Sequence, residues 1–250
     1  MKHILIIFIS CLSLSCTGQK KTSENIGSTP PILAGAQRME VYLPLIKGKR
    51  VGIFANQTSM VGNTHLVDTL RKLGIVVKVI FGPEHGFRGI ADDGAKVGNY
   101  VDEKTGIPVV SLYGGKLRPS EEDLKDVDIL LFDIQDVGVR FYTFISSLEE
   151  FMNAAFEYRK PLMILDRPNP NGFYVDGPVL ESKYKSFVGM QPVPVVYGMT
   201  IGEYAMMIAG ERWLSEKANA RYDYYKSAAN SPPDTMFHFI VIKCGNYTHK

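Results

Sequence analysis

Three short apolar runs in this chain each end in a turn that carries acids and bases. Val76–Ile80 passes into Phe81-Gly82-Pro83-Glu84-His85-Gly86-Phe87-Arg88-Gly89. Asp128–Phe132 passes into Asp133-Ile134-Gln135-Asp136, and Pro161–Leu165 into Asp166-Arg167-Pro168-Asn169. Continuous apolar runs, as opposed to an in-out alternation, mark strands buried on both faces of a parallel sheet covered by helices. In such a sheet ligands bind in the crevice outside the carboxyl ends of the strands. Three strands that deliver carboxylates at one edge place the candidate active site there.

The intervening segments complete the pattern. Arg50–Ala55 and Pro108–Leu112 are further apolar strands. Asn63–Leu73 carries Leu66, Leu70 and Leu73 at helical spacing and stops at Gly74. Ser120-Glu121-Glu122-Asp123 is a capped helix start, and Phe141–Tyr158 is a long amphipathic helix. Thr200-Ile201-Gly202-Glu203 is a capping box that opens a helix to Ser215. The alternation predicts an α/β fold: a Rossmann-like parallel sheet with helices on both faces, over residues 37–198. Asn171–Tyr197, rich in Gly, Pro and Tyr, reads as a long ordered loop. Residues 199–250, including the apolar run Phe237–Cys244, are expected to begin a smaller α+β second domain that is cut short. After the first strand, Asn56-Gln57-Thr58-Ser59-Met60-Val61-Gly62 holds one glycine and no G-x-G-x-x-G, so no nicotinamide cofactor, nor any other, is expected.

The first residues read as a targeting segment. Met1-Lys2-His3 is basic, Ile4–Leu14 is apolar but too short to span a bilayer, and small residues precede Cys16. Residues 1–16 resemble a lipoprotein signal, with Cys16 as the acylated first mature residue. Residues 17–36 are a polar tether. The expectation is export to the periplasm or cell envelope, with a lipid anchor as the one membrane contact; an ordinary secretory peptide cut nearby would export the chain as well. Cys244 is then the single thiol of the folded part and cannot form an internal disulfide. His65, His85, His238 and His249 are scattered without metal-ligand spacing, so no metal is expected. A net charge of +2, with no basic stripe beyond Lys47-Gly48-Lys49-Arg50, argues against nucleic acid.

Glu84 is the leading catalytic carboxylate: it follows a Gly-Pro turn beside Phe81, His85 and Phe87, a setting that favours general-acid use. Asp133, Gln135 and Asp136 leave the fourth strand together, and Asp136 stands at i,i+4 to Arg140, the spacing of a helix-start ion pair. Two X-Pro steps stiffen the segment that presents Asp166, Arg167 and Asn169. Glu203 is a second candidate carboxylate whose place in the capping box also explains it.

At these segments the chain resembles a family of exported bacterial glycosidases, the NamZ-type exo-β-N-acetylmuramidases. The resemblance is carried by Asn56-Gln57-Thr58, Gly82–Gly89, Asp133-Ile134-Gln135-Asp136-Val137-Gly138 with Arg140, Tyr142 and Thr143, Asp166–Pro170, and Asn246-Tyr247-Thr248-His249-Lys250. It implies release of terminal N-acetylmuramic acid from peptidoglycan fragments, in a cleft between a Rossmann-like domain and a smaller second domain that members continue into beyond Asn246–Lys250. It implies Glu84 as the leading catalytic candidate, and on the residues themselves Asp133, Asp136, Asp166 or Glu203 could supply a second carboxylate. Asn56, His85, Arg88, Gln135, Asp136, Arg140, Tyr142, Asp166, Arg167 and Asn169 are the substrate-binding candidates. Glycoside hydrolysis commonly uses two carboxyl groups about 5–5.5 Å apart (retaining) or about 6.5–9.5 Å apart (inverting). The lactyl carboxylate of muramic acid suits a guanidinium fork, for which Arg88, Arg140 and above all Arg167 are available. The competing class is a non-catalytic cell-envelope lipoprotein that binds cell-wall sugars.

Overall fold

The structure, a computed structural model, describes residues 30–89, 98–228 and 238–250. Cys16, the leader and most of the tether lie outside the described residues. One sheet has the spatial order β5 (Tyr100–Val101), β6 (Pro108–Ser111), β4 (Val76–Gly82), β1 (Arg50–Ala55), β7 (Ile129–Asp133), β8 (Leu162–Leu165) and β9 (Phe239–Ile242). β5 runs antiparallel to β6, and the other five pairings are parallel. A separate two-residue hairpin pairs β2 (Met60–Val61) with β3 (Thr64–His65). With β5 and the hairpin set aside, the strands lie in the order third, second, first, fourth, fifth, sixth, the arrangement of a doubly wound Rossmann sheet.

Both faces are covered, as the apolar runs require. α1 (Met39–Ile46) and α2 (Leu66–Lys72) bury Tyr42, Ile46, Leu66, Val67 and Leu70 against Ile53, Ile80 and Leu131. The opposite face carries α3 (Glu121–Leu124), α4 (Phe144–Glu157), α5 (Ile201–Gly210) and α6 (Glu216–Ala228). There Phe151 of α4 meets Phe54, Phe81 and Phe132 with ring centroids 5.2, 5.6 and 6.0 Å away. An aromatic buried in this way resists truncation to alanine by about 3–5 kcal/mol. This one side chain therefore fastens α4 to three adjacent strands.

Three expectations change. The helix foreseen over Asn63–Leu73 starts later, because Asn63 and Thr64 turn with Gly62 (φ 57°) into the hairpin. His65 then caps α2 by accepting from the Val67 N–H through Nδ1. The helix from Thr200 ends at Gly210, and α6 follows as a separate element. Residues 199–250, read as the opening of a second domain, contribute α5 and α6, which pack on α4, and β9, which pairs in parallel with β8. Residues 31–250 form one compact unit. A parallel partner far away in sequence leaves no local signature, so the apolar run around β9 carried no sign of the sheet it joins.

Candidate active site

α2 follows β1 onto one face and α4 follows β7 onto the other. The chain therefore diverges between the carboxyl ends of β1 and β7, the switch point at which such sheets open a crevice. Side chains fasten this point from within. Asn56 Oδ1 accepts from the Thr58 N–H (2.9 Å) and the Thr58 hydroxyl (2.5 Å), and Thr58 Oγ1 accepts from the Gln135 N–H at 3.0 Å. The Ser59 hydroxyl donates to the Asp133 carbonyl. His65 donates from Nε2 to the Asn56 carbonyl (2.8 Å) while Nδ1 accepts, which is the neutral tautomer; burial lowers its pKa in the same sense. Asn56 is thus a fastening residue of the β1 turn.

Most of the sequence-derived candidates are held in pairs. Asp133 is fully buried and gives both oxygens to Arg167, at 2.6 Å from Nε and 2.9 Å from Nη2. Burial pushes the Asp133 carboxyl up and Arg167 draws it back. Arg167 also donates to the Met60 carbonyl. Asp133, expected as a cleft acid, and Arg167, expected as a lactyl fork, are each other's partner inside the core. The Arg88 guanidinium likewise bridges Asp102 (3.0 and 2.9 Å) and Asp68 (3.3 Å), two carboxylates the sequence reading had not singled out. Asp136 does not pair with Arg140. One of its oxygens accepts from the Gly138 N–H and the Tyr197 hydroxyl, and the other is buried without a partner. Desolvation raises its pKa.

Arg140 instead donates to the carbonyls of Pro178 and Val193 and, of the three candidate forks, is the one without a carboxylate partner among the described residues. Gln135 locks its turn by donating to the carbonyls of Pro168 and Asp136. Asn169 spans the Met199 carbonyl and the Asn171 N–H. Asp166 accepts from the Thr200 hydroxyl (2.9 Å) and the Gly202 N–H (2.8 Å), anchoring the α5 N-terminus to the end of β8. Burial raises its pKa to about 6. A Cβ on Gly202 would lie 2.9 Å from that Asp166 oxygen, so the approach depends on glycine.

Glu203 completes the capping box by accepting from the Thr200 N–H and takes a second hydrogen bond, 2.9 Å, from His249 Nε2. His249 Nδ1 faces the Gly172 carbonyl at 2.8 Å. Both ring nitrogens thus meet acceptors, which calls for the imidazolium, and Glu203 followed by the Gly172 carbonyl raises the His249 pKa. Through α5, Glu203 is tied to the end of β8, three inter-strand spacings (roughly 14 Å) from β4. Its own contacts, the capping box and His249, account for the Glu203 carboxyl group without Glu84.

Glu84 is placed differently. Pro83–Gly86 forms a turn closed by the Gly86 N–H on the Pro83 carbonyl (3.0 Å), with His85 at φ 67° and Gly86 at φ 74°. A left-handed histidine is a strained conformation of the kind that clusters at functional sites. Glu84 is half-buried and accepts a 2.7 Å hydrogen bond from the Tyr113 hydroxyl, which leaves the end of the neighbouring strand β6. Tyr113 escaped the sequence reading, although it follows Pro108–Leu112 at the same sheet edge as the acids. Tyr142 stands exposed ahead of α4, its ring 6.2 Å from Phe141 and 6.3 Å from Phe144. Among the described residues no group of three His, Cys, Asp or Glu side chains is arranged to hold a metal ion.

Comparison with known proteins fixes the kinship. The family model described as "Exo-beta-N-acetylmuramidase NamZ, N-terminal" matches residues 51–250. The peptidoglycan beta-N-acetylmuramidase NamZ of Bacillus subtilis (strain 168) is 50% identical over 175 residues, covering 68% of this chain and 42% of that protein. Two crystal structures of DUF1343 family proteins from Bacteroides fragilis NCTC 9343 share the fold over 88% of this chain. One is 46% identical with a TM-score of 0.72 over 54% of its length, the other 36% identical with 0.73 over 52%. The chain spans about half the length of these relatives. With the family model covering most of its length and half of its aligned residues identical to a named relative, the chain belongs to the NamZ exo-β-N-acetylmuramidase family.

Proposed function

We propose that this chain forms the catalytic edge of an exo-acting glycosidase that releases terminal N-acetylmuramic acid from peptidoglycan fragments during cell-wall turnover or recycling. The observation that carries the reading is Glu84. Of the five carboxylates offered by the strand ends and α5, it is the one that meets a half-exposed phenol, Tyr113, while Asp133, Asp136, Asp166 and Glu203 are held by an arginine, a buried tyrosine, a helix cap and a histidine. Its chain is half identical, where the two align, to a peptidoglycan beta-N-acetylmuramidase. In this reading Glu84 protonates the glycosidic oxygen as the C1–O bond breaks, and water completes the hydrolysis. Export and lipid attachment at Cys16 belong to the same proposal. They are supported by the short apolar leader, the small residues before Cys16 and the polar segment after it.

The test is Glu84→Gln in the intact protein, assayed by release of N-acetylmuramic acid from a muramic-acid-terminated disaccharide. General acid catalysis contributes about 10²–10⁴-fold, and a loss of that size is expected with the fold retained. Glu203→Gln, which touches only the α5 cap and His249, should keep kcat/KM within about twofold, because removal of a cap acts on stability and not on the reacting bond. A Glu84→Gln protein with more than about a tenth of the parent kcat/KM would remove Glu84 from the acid role.

A further inference from the structure

A glutamate on a tight turn has three side-chain torsions to fix before it can donate a proton along one direction, and that freedom opposes any single pose. The structure supplies a restraint from the adjacent strand. β4 and β6 are parallel neighbours with Gly82 in register with Ser111, and the Leu112 N–H donates to the Gly82 carbonyl at 2.9 Å. The strand exits are thereby pinned just before Glu84 on one side and Tyr113 on the other. The turn folds back over Gly82, where a Cβ would lie 3.1 Å from the Phe87 nitrogen. From these two pinned exits the Tyr113 hydroxyl reaches Glu84 Oε1 at 2.7 Å.

We propose that Tyr113 is a positioning residue that holds Glu84 for proton donation, an inference that rests on the acid role of Glu84 given above. With Oε1 engaged by the phenol, Oε2 is the oxygen left to carry the proton. When the Oε2 proton passes to the glycosidic oxygen, the C1–O electron pair leaves with that oxygen and the carboxyl group becomes an anion. Water then adds to the anomeric carbon, and the proton it releases restores Glu84. The phenol hydrogen bond strengthens as this negative charge develops. Tyr113 therefore stabilises the transition state more than the ground state and acts on kcat in preference to KM. The same contact acts in reverse on the phenol, whose pKa is raised chiefly by its hydrogen bond to Glu84.

The experiment compares Tyr113→Phe, Glu84→Gln and the double variant in the intact protein. Two substrates are used: a muramic-acid-terminated disaccharide, whose sugar alkoxide is a poor leaving group, and a nitrophenyl N-acetylmuramide, whose leaving group needs little protonation. Tyr113→Phe should lower kcat on the disaccharide about 10- to 100-fold, the range of a hydrogen bond to a charged group, with KM within about twofold. On the nitrophenyl substrate the loss should be less than about threefold. The double variant should be no slower than Glu84→Gln alone, because Tyr113 acts only through that carboxyl group. Equal losses on both substrates, or losses that multiply in the double variant, would overturn the positioning role. A Tyr113→Phe protein at parent activity beside a defective Glu84→Gln overturns the role of Tyr113 alone. A fully active Glu84→Gln overturns both it and the acid reading beneath it.

Discussion

Arg167→Ala is the substitution that best separates a ligand-binding arginine from a structural one. Its Nε and Nη2 atoms meet the two oxygens of Asp133 at 2.6 and 2.9 Å, inside the protein, where the Asp133 side chain has no exposure. Removing one partner of a buried ion pair leaves an uncompensated charge and costs about 3–5 kcal/mol. For a domain of this size each kcal/mol moves Tm by about 2–4 °C, so a fall of about 6–20 °C is expected. The pH dependence has a definite sign. Burial raises the Asp133 pKa and Arg167 opposes that rise, so without Arg167 the folded carboxyl sits still further above its unfolded value. A raised acid stabilises the fold below its unfolded pKa and loses that contribution as pH climbs. The deficit of Arg167→Ala should therefore be smaller at acid pH than at neutral pH. Urea unfolding of the parent and variant at two pH values measures both effects. An Asp133→Leu/Arg167→Met double variant, which removes both charges, should recover most of the loss. The reasoning fails if Arg167→Ala costs under about 1 kcal/mol, the range of an exposed pair, while binding of muramic-acid ligands collapses; Arg167 would then be the lactyl fork.

Two further outcomes follow from the same physics. Glu149 is buried in α4 with both oxygens accepting from Gln191 Nε2, and desolvation raises its pKa from 4.5 to about 7. Its contribution to stability is fully present below about pH 4.5 and is lost by about pH 7, so Glu149→Gln should flatten the fall over that window by on the order of 3 kcal/mol. Parallel urea midpoints for the two proteins at both ends of the window would contradict this. Cys16→Ala should move the protein from the membrane fraction of its native host to the soluble one, since a single residue bears the lipid in our reading; an unchanged distribution refutes the lipid attachment.

The sequence by itself determined the fold class and the sheet edge at which the candidate acids gather. Apolar runs that bury both faces can be satisfied only in a covered sheet, so Arg50–Ala55, Val76–Gly82, Pro108–Ser111, Ile129–Asp133 and Leu162–Leu165 were legible from local composition. So were the capping boxes at Ser120 and Thr200, which act over three residues. What only the tertiary structure decided was which polar groups at that edge are engaged with one another. The pairs Asp133–Arg167, Arg88–Asp102 and Tyr113–Glu84 are separated by 34, 14 and 29 residues. β9 joins β8 across more than seventy residues in the same way. Such pairings are set by strand order and register, and a carboxylate's neighbours in sequence do not encode them. The strand ends and α5 announced five acids; packing held four of them with an arginine, a buried tyrosine, a helix cap and a histidine, and left Glu84 to the half-exposed Tyr113 across the adjoining strand.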